Sequence, residues 1–395
     1  MMMISNLPHD LESEILSRVP AKSLWELRAT CKRWYALFRD PRFVEKNKRL
    51  GKAVRASILL SNQDLYLMNK DLHNSSVVEE LTFKLRSLKG AKGSKDLKFS
   101  WIYHCDGLIL FQIKEISRLV VWNPCTGQTR FIKPVTRYRA SRDDTFSLGY
   151  STSSSSSGHS YKILRYYRYY KNDQLFAECE IYELSSDSWK VLDSFALDHK
   201  LCFGGISLNG DTYWIADGKE NGYFLMKFDF TAETFVRLPL PFQNLDCEDK
   251  VALSVVKDEK LSVLHRYVLG GSTTVMRIWV SNNVFEEAND LSWMSHFVLK
   301  VDCDEFDIPS VVNVASFLLD EENKVAICCD MDSVKLYEYK TRIYIVGDGM
   351  SKQVYNGTVE LSRCTWPCVI SYVPSLVHIQ KCTRKRGKKE RFALK

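Results

Sequence analysis

Apolar and polar positions follow two different rhythms along this chain, and the change falls near Gly51. Before it the spacing is helical. Pro8 suits a first helical turn, where its missing N–H costs nothing, and Leu11, Ile15 and Val19 then recur every four residues along one face. Pro20 stops that helix. Ser23 is placed to cap a second, carrying Leu24, Leu27 and Cys31, and Trp34, Leu37 and Phe38 continue into a third. Asp40-Pro41 restarts the chain toward Phe43 and Val44. Residues 1–50 thus form a three-helix unit too small to bury a self-sufficient core. Two outcomes satisfy it: the helices dock on the larger part of their own chain, or they leave apolar surface for a partner.

After Gly51 the apolar residues alternate with polar ones, as strands require. Asn209-Gly210 in "SLNGDTYWIA" is a hairpin signal, because both turn positions need positive φ, and Gly270-Gly271 plays the same part further on. "YKILRYYRYYKNDQLFAECEIYEL" and "SFLLDEENKVAICCDMDSVKLYEY" read as hairpins with longer turns. A unit repeats through them: an aromatic at a strand end, a polar turn and an apolar return, starting at Trp122, Tyr182 and Phe228, with weaker echoes at Trp279 and Tyr337. The spacing averages about 54 residues, so residues 51–380 hold six or seven units. Four-stranded units of that size bury both faces only by stacking, which predicts an all-β domain built as a β-propeller of six or seven blades, with a pair of packed sheets as the alternative.

Composition adds limits. The 395 residues are 45% hydrophobic and 26% charged, ordinary for globular protein. The start lacks a basic segment followed by an apolar run, and no later apolar run nears the roughly 18 residues of a membrane span, which predicts no membrane partner and a cytoplasmic or nuclear location. Twelve cysteines, scattered and including the adjacent Cys328 and Cys329, fit a reducing compartment, where the sequons at Asn74 and Asn356 carry no sugar. Net charge is +7, and all of it lies in the last 15 residues, leaving 47 basic and 47 acidic side chains in residues 1–380. A nucleic-acid binder carries its positive charge on a folded face, so no nucleic-acid partner is expected. Residues 381–395 read as a basic disordered tail whose Arg384, Lys385, Arg386, Lys388 and Lys389 are either a nuclear-localisation signal or a solvated end.

Catalytic chemistry has little to stand on. The chain contains no Gly-rich phosphate loop, no His-Glu-x-x-His, no Gly-x-Ser-x-Gly and no Cys-x-x-Cys. Cys364 and Cys368 share a spacing but lack two further ligands, so they read as core cysteines, and neither a metal nor a cofactor is expected. "YKILRYYRYYK" (161–171) interleaves Tyr with Lys and Arg, yet alternation splits its rings between two faces. The run "STSSSSSGHS" (151–160) reads as a hairpin tip.

Two resemblances give these units a meaning. The order Leu-Pro-x-Asp-Leu, Ile-Leu, Val-Pro, Lys-Ser-Leu and Cys-Lys-x-Trp in "LPHDLESEILSRVPAKSLWELRATCKRW" resembles an F-box, departing from it at Thr30, where the family usually has Val. "CDGLILF", "VVWNPCTGQTRFI", "GGISLNGDTYW", "FDFTAETFVRLPLP" and "SYVPSLVHI" resemble the F-box-associated, kelch-like domain of plant F-box proteins over residues of about 100 to 380. The resemblance implies a non-catalytic substrate-recognition subunit of an SCF-type ubiquitin ligase. Leu7, Pro8, Leu11, Ile15, Leu16, Pro20, Leu24 and Trp34 would then face a Skp-type adaptor, which links the chain indirectly to a cullin. The β domain would capture an unidentified target protein through residues the sequence does not single out. The helical unit, so read, leaves its core for the adaptor to finish. The alternative is a propeller interaction scaffold that acts without a cullin.

Overall fold

The computed structural model describes residues 7–51, 56–61, 64–68, 77–80, 99–113, 118–133, 144–152, 158–192, 194–218, 222–242, 249–269, 273–282, 291–302, 314–335, 338–347, 350–360 and 367–379. Four short helices lead: α1 (His9–Leu16), α2 (Ala21–Leu27), α3 (Lys32–Leu37) and α4 (Pro41–Leu50). Pro8 and Pro20, with φ of −53° and −55°, launch α1 and α2 without a side-chain cap. The cap expected from Ser23 is therefore corrected: α2 already begins at Ala21. Cys31 Sγ accepts the Trp34 N–H at 3.5 Å to open α3. Asp40 accepts the Arg42 N–H at 2.8 Å and Pro41 takes the first helical position, so the restart seen in the sequence becomes a fourth helix beyond the three expected.

The remainder is six antiparallel sheets arranged as the blades of a propeller. Blade 1 takes β1 (Ala56–Ser61), β2 (Asp64–Met68) and β3 (Val77–Glu80). Blade 2 is β4 (Phe99–Cys105), β5 (Leu108–Ile113), β6 (Arg118–Asn123) and β7 (Gln128–Ile132). Blade 3 is β8 (Thr145–Ser151), β9 (Ser160–Lys171), β10 (Gln174–Glu183) and β11 (Ser188–Val191), with β12 (Phe195–Ala196) added to β10. Blade 4 is β13 (His199–Leu208), β14 (Asp211–Gly218), β15 (Gly222–Asp229) and β16 (Thr234–Leu238). Blade 5 is β17 (Lys250–Val256), β18 (Lys260–Leu269), β19 (Thr273–Ser281) and β20 (Trp293–Asp302). Blade 6 is β21 (Val314–Asp320), β22 (Val325–Lys335), β23 (Glu338–Gly347) and β24 (Met350–Glu360). The ring closes when β25 (Cys368–Tyr372) pairs with β1 and becomes the inner strand of blade 1.

Core is distributed rather than central. Six clusters of buried side chains each lie between two neighbouring blades, for example Ile58, Leu60 and Tyr372 of blade 1 against Ile109, Phe111 and Trp122 of blade 2. The middle strand β22 is buried on both faces, which is why adjacent Cys328 and Cys329 are both inside, one facing blade 5 and the other blade 1. The packed-sheet alternative is thereby set aside. The repeat marks the third strand of blades 2, 3 and 4: Trp122, Tyr182 and Phe228 sit one residue from the ends of β6, β10 and β15. After two of them the polar turn is made by a side chain, since Asn123 accepts the Cys125 and Thr126 N–H groups, and Asp229 those of Thr231 and Ala232. The echo at Tyr337 lies outside the described residues; in blade 6 the position belongs to Val346 on β23. Asn209-Gly210 makes the β13–β14 turn with φ of 56° and 90°, as expected. The Gly270-Gly271 turn lies outside the described residues, although β18 and β19 pair as the hairpin requires.

Strands alternate in direction within every blade, so β4, β8, β13, β17, β21 and β25 all run the same way along the axis. One face of the propeller carries the turns that follow these inner strands. The opposite face carries the connections from one blade to the next.

Candidate functional site

The helices sit on the face that carries the inner-strand turns. Leu16, Ala21, Leu24, Phe38 and Phe43 pack around Leu376, which follows β25, with Cys125 from the β6–β7 turn at the edge. Residues 373–379 form a strap between helices and blade 2. Alternation along it turns Leu376 toward the helices and Val377 and Ile379 into the cluster between blades 2 and 3. Asn123 fixes the strap by donating from Nδ2 to the Ser375 and Val377 carbonyls at 3.0 and 2.8 Å, and Gln128 Oε1 accepts the Ile379 N–H at 3.0 Å. Gly107 (φ +77°) lies so close beneath that a Cβ there would stand 2.3 Å from the Ser375 Cβ. The expectation that a partner must supply the helical core is corrected: α2, α3 and α4 find theirs in the same chain.

A charged junction holds α4 to the propeller. Lys48 Nζ meets Asp106 Oδ1 at 2.7 Å, in the turn between β4 and β5. Asp106 also accepts from His159 Nδ1 at 3.2 Å and from the Tyr161 hydroxyl, while His159 stacks on Tyr150 with ring centres 3.7 Å apart. Burial alone would push the Asp106 carboxyl up; the Lys48 charge and the hydrogen bonds from His159, Lys48 and Tyr161 outweigh it and hold Asp106 well below the usual carboxylate range. Burial likewise opposes the Lys48 charge, but Asp106 holds the ammonium above the ordinary lysine range. The β4–β5 and β8–β9 turns therefore set the angle at which the helices sit.

One apolar face of α1 turns outward. Leu11 is 49% exposed and Ile15 54%, one turn apart, with Pro8 exposed beside them. The opposite face carries Glu12 and Leu16 inward. Glu12 is a buried carboxylate because Trp34 Nε1 donates to it at 2.6 Å and Arg33 pairs with it at 2.5 Å, which ties α1 to α3. Asn47 on α4 donates to the Ser17 and Val19 carbonyls at 2.9 and 2.8 Å, satisfying the end of α1.

The structure therefore divides the eight expected adaptor-facing residues. Pro8, Leu11 and Ile15 are outward; Leu7, Pro20 and Trp34 are half-buried; Leu16 and Leu24, 6% and 0% exposed, belong to the chain's own core. Three further large apolar residues of the helices are exposed as well: Leu27, Tyr35 and Leu50. Leu27 was grouped with Leu24 by spacing, and no local signal separates the two.

Other candidates resolve simply. Among the described residues, no three His, Cys, Asp or Glu side chains lie together as a metal would need. Cys368 is on β25, and burial pushes its thiol up to about 12, as it does for Cys179 and Cys328. Cys364, the centre of the serine run and residues 381–395, with the five basic candidates among them, lie outside the described residues. On β9, Tyr167 and Tyr169 stack with centres 5.9 Å apart and Phe176 of β10 continues the row at 5.8 Å, while Tyr166 faces blade 4. Among the described residues, no helix is long and apolar enough to cross a membrane.

The molecule is thus a helical unit with an apolar stripe of α1 facing out, braced on a six-bladed propeller. The F-box domain matches residues 4–46, and the F-box associated beta propeller domain matches residues 56–379; the chain belongs to the F-box proteins that carry this propeller. It is similar to two F-box/kelch-repeat proteins of Arabidopsis thaliana, the first so named provisionally. They are 54% identical over 99% of this chain and 98% of the relative, and 50% identical over 96% of each. Among solved structures, a chain of a nidogen/laminin complex aligns at a TM-score of 0.40 with 9% identity, covering 81% of this chain and 99% of that one.

Proposed function

We propose that the protein is the substrate-recognition subunit of an SCF-type ubiquitin ligase, with α1 docking on a Skp-type adaptor that connects it to a cullin. One observation carries the reading: Leu11 and Ile15, one turn apart on α1, are the most exposed of the large apolar side chains on the described helices. Each would bury its remaining apolar area on docking, and an aspartate in its place would be desolvated without a partner. The Leu11→Asp/Ile15→Asp double variant keeps Leu16 and Leu24 intact, so it spares the fold. Adaptor pulled down from plant extract should fall on the order of 100-fold; undiminished recovery with a folded variant sinks the reading.

The target then docks on the face away from the helices, where the blade-to-blade connections lie. The chain's part is to hold the target at a fixed place and angle to a conjugating enzyme, not to do chemistry. The Lys48–Asp106 junction and the packing around Leu376 support that, because they join the helices to the propeller at two places.

A second reading has its own observation. Helices sealed in cis by Leu376 also suit a propeller scaffold that uses them for stability and works without a cullin. Recovery of cullin with the wild-type chain, and its joint loss with adaptor in the double variant, separates the two. For location, the basic cluster from Arg384 to Lys389 acts as a nuclear signal; a chain ending at Gln380 should lose its nuclear fraction, and an unchanged fraction removes the signal.

A further inference from the structure

Three places carry features that the ligase reading does not use: the stacked rings of β9, the charged junction at Asp106 and the space on the propeller axis. The last has a built wall. We infer that the axial cavity is a binding site for one small uncharged molecule, flat and largely apolar, with a hydrogen-bond acceptor at the end nearer the helices.

The cavity is about 490 Å³, within the range of sites for small organic ligands. It runs from Thr145, Val251 and Pro367, where the inner strands begin, to His104, Val255 and Ser371, near where they end. Among its described lining residues there is no Lys or Arg, and its one carboxylate, Asp258, is engaged within the chain. A charged ligand would find no counter-ion there. Trp101 lies stacked on Phe146 at 5.2 Å and 20° and supplies a rigid flat side to the space.

Small residues keep the cavity open on inner strand after inner strand: Thr145, Gly204, Ser254, Ala315 and Ser371. At β13 the opening is forced. The strand's register shifts between Cys202 and Ile206, and the bulge presses Gly205 against Trp214, where a Cβ would stand 2.3 Å from the indole nitrogen. That indole Nε1 is buried without a hydrogen-bond partner, a desolvation cost the fold carries to set β13 back. Gly204 beside it would project a Cβ into space with nothing within 4 Å.

His104 sets the polarity of one end. Its Nε2 accepts the Gly107 N–H at 3.1 Å, so the ring proton sits on Nδ1, and burial holds the imidazole below its ordinary range, hence neutral. That Nδ1–H has no acceptor among the described residues. A carbonyl or ring-nitrogen acceptor on the ligand completes it.

Nile red is uncharged, flat and carries a ring carbonyl, and its emission reports an apolar site. Titrated into the full-length chain, it should show saturable, blue-shifted emission at one dye per chain. Gly204→Trp fills the cavity yet adds apolar surface, so it should weaken that binding at least tenfold, whereas adsorption to the surface would stay or rise. If Gly204→Trp does not fold, Ser371→Phe fills the cavity from β25. Absence of a saturable signal in the wild-type chain, or equal binding by a folded cavity-filled variant, overturns the inference. The readout does not involve adaptor or target and stands apart from the ligase reading.

Discussion

Truncating Leu376 to Ala tests whether the helical unit is completed by its own chain. The side chain is 3% exposed and lies among Leu16, Ala21, Leu24, Phe38 and Phe43. Removing a buried leucine down to its Cβ costs about 2–5 kcal/mol, the lost burial plus the cavity left behind. Because the strap's neighbours Val377 and Ile379 face the other way, into blades 2 and 3, the loss falls on the helices. Local opening of α1 to α4 should become easier by that amount, so their amides should exchange hydrogen about 30- to 5000-fold faster wherever exchange proceeds by local opening. Amides in β18 and β19 of blade 5, on the far side of the ring, should be unmoved. The assay is native-state hydrogen exchange read by mass spectrometry on peptides from both regions. Unchanged protection of the helices, or equal loss throughout the propeller, would refute closure of the helical core by Leu376.

Four further outcomes follow from the same geometry. Gly107→Ala places a Cβ against Ser375 at a residue with φ +77°, so it should lift the strap and reproduce the Leu376→Ala exchange pattern; a normal pattern removes the strap's proposed role. Glu12→Ala leaves the Trp34 indole and the Arg33 guanidinium without their acceptor and should cost about 1–3 kcal/mol, seen as faster exchange in α1 and α3. The Asp106 carboxyl is held below its unfolded value of 3.8, so its contribution is present above that value and lost as pH falls from about 5 downward. Lys48, held above its unfolded 10.5, loses its contribution only as pH rises past that value. Glu45, His159, Tyr150 and Tyr161 face the same pair, so the comparison that isolates it is wild type against Asp106→Asn: proteolysis between Gly51 and Ala56 should rise below about pH 5 in the wild type only. Gly149→Ala would set a Cβ 2.2 Å from the Gly210 carbonyl and 2.3 Å from the Phe230 ring, lowering thermal stability by about 1–3 kcal/mol; an unchanged melting temperature would show that blades 3 and 4 are less closely joined.

Local rules carried much of this molecule. Prolines at 8, 20 and 41 punctuate the helices, Asn209-Gly210 turns a hairpin, and the aromatic before each polar turn marks a third strand, because each depends only on backbone preferences within a few residues. Blade number was left at six or seven by the spacing, and was decided when β25 crossed the length of the chain to pair with β1. The face of α1 was decided the same way. By hydrophobicity, Leu11 and Ile15 should turn inward and Glu12 outward, yet Trp34 and Arg33 satisfy Glu12 and let Leu16 take the interior. No periodicity could place Leu376 in the core of helices more than 320 residues before it. A sequence states which residues need burial, since that need is a property of each side chain, whereas the surface that meets the need is chosen only when distant segments compete for it in the folded chain.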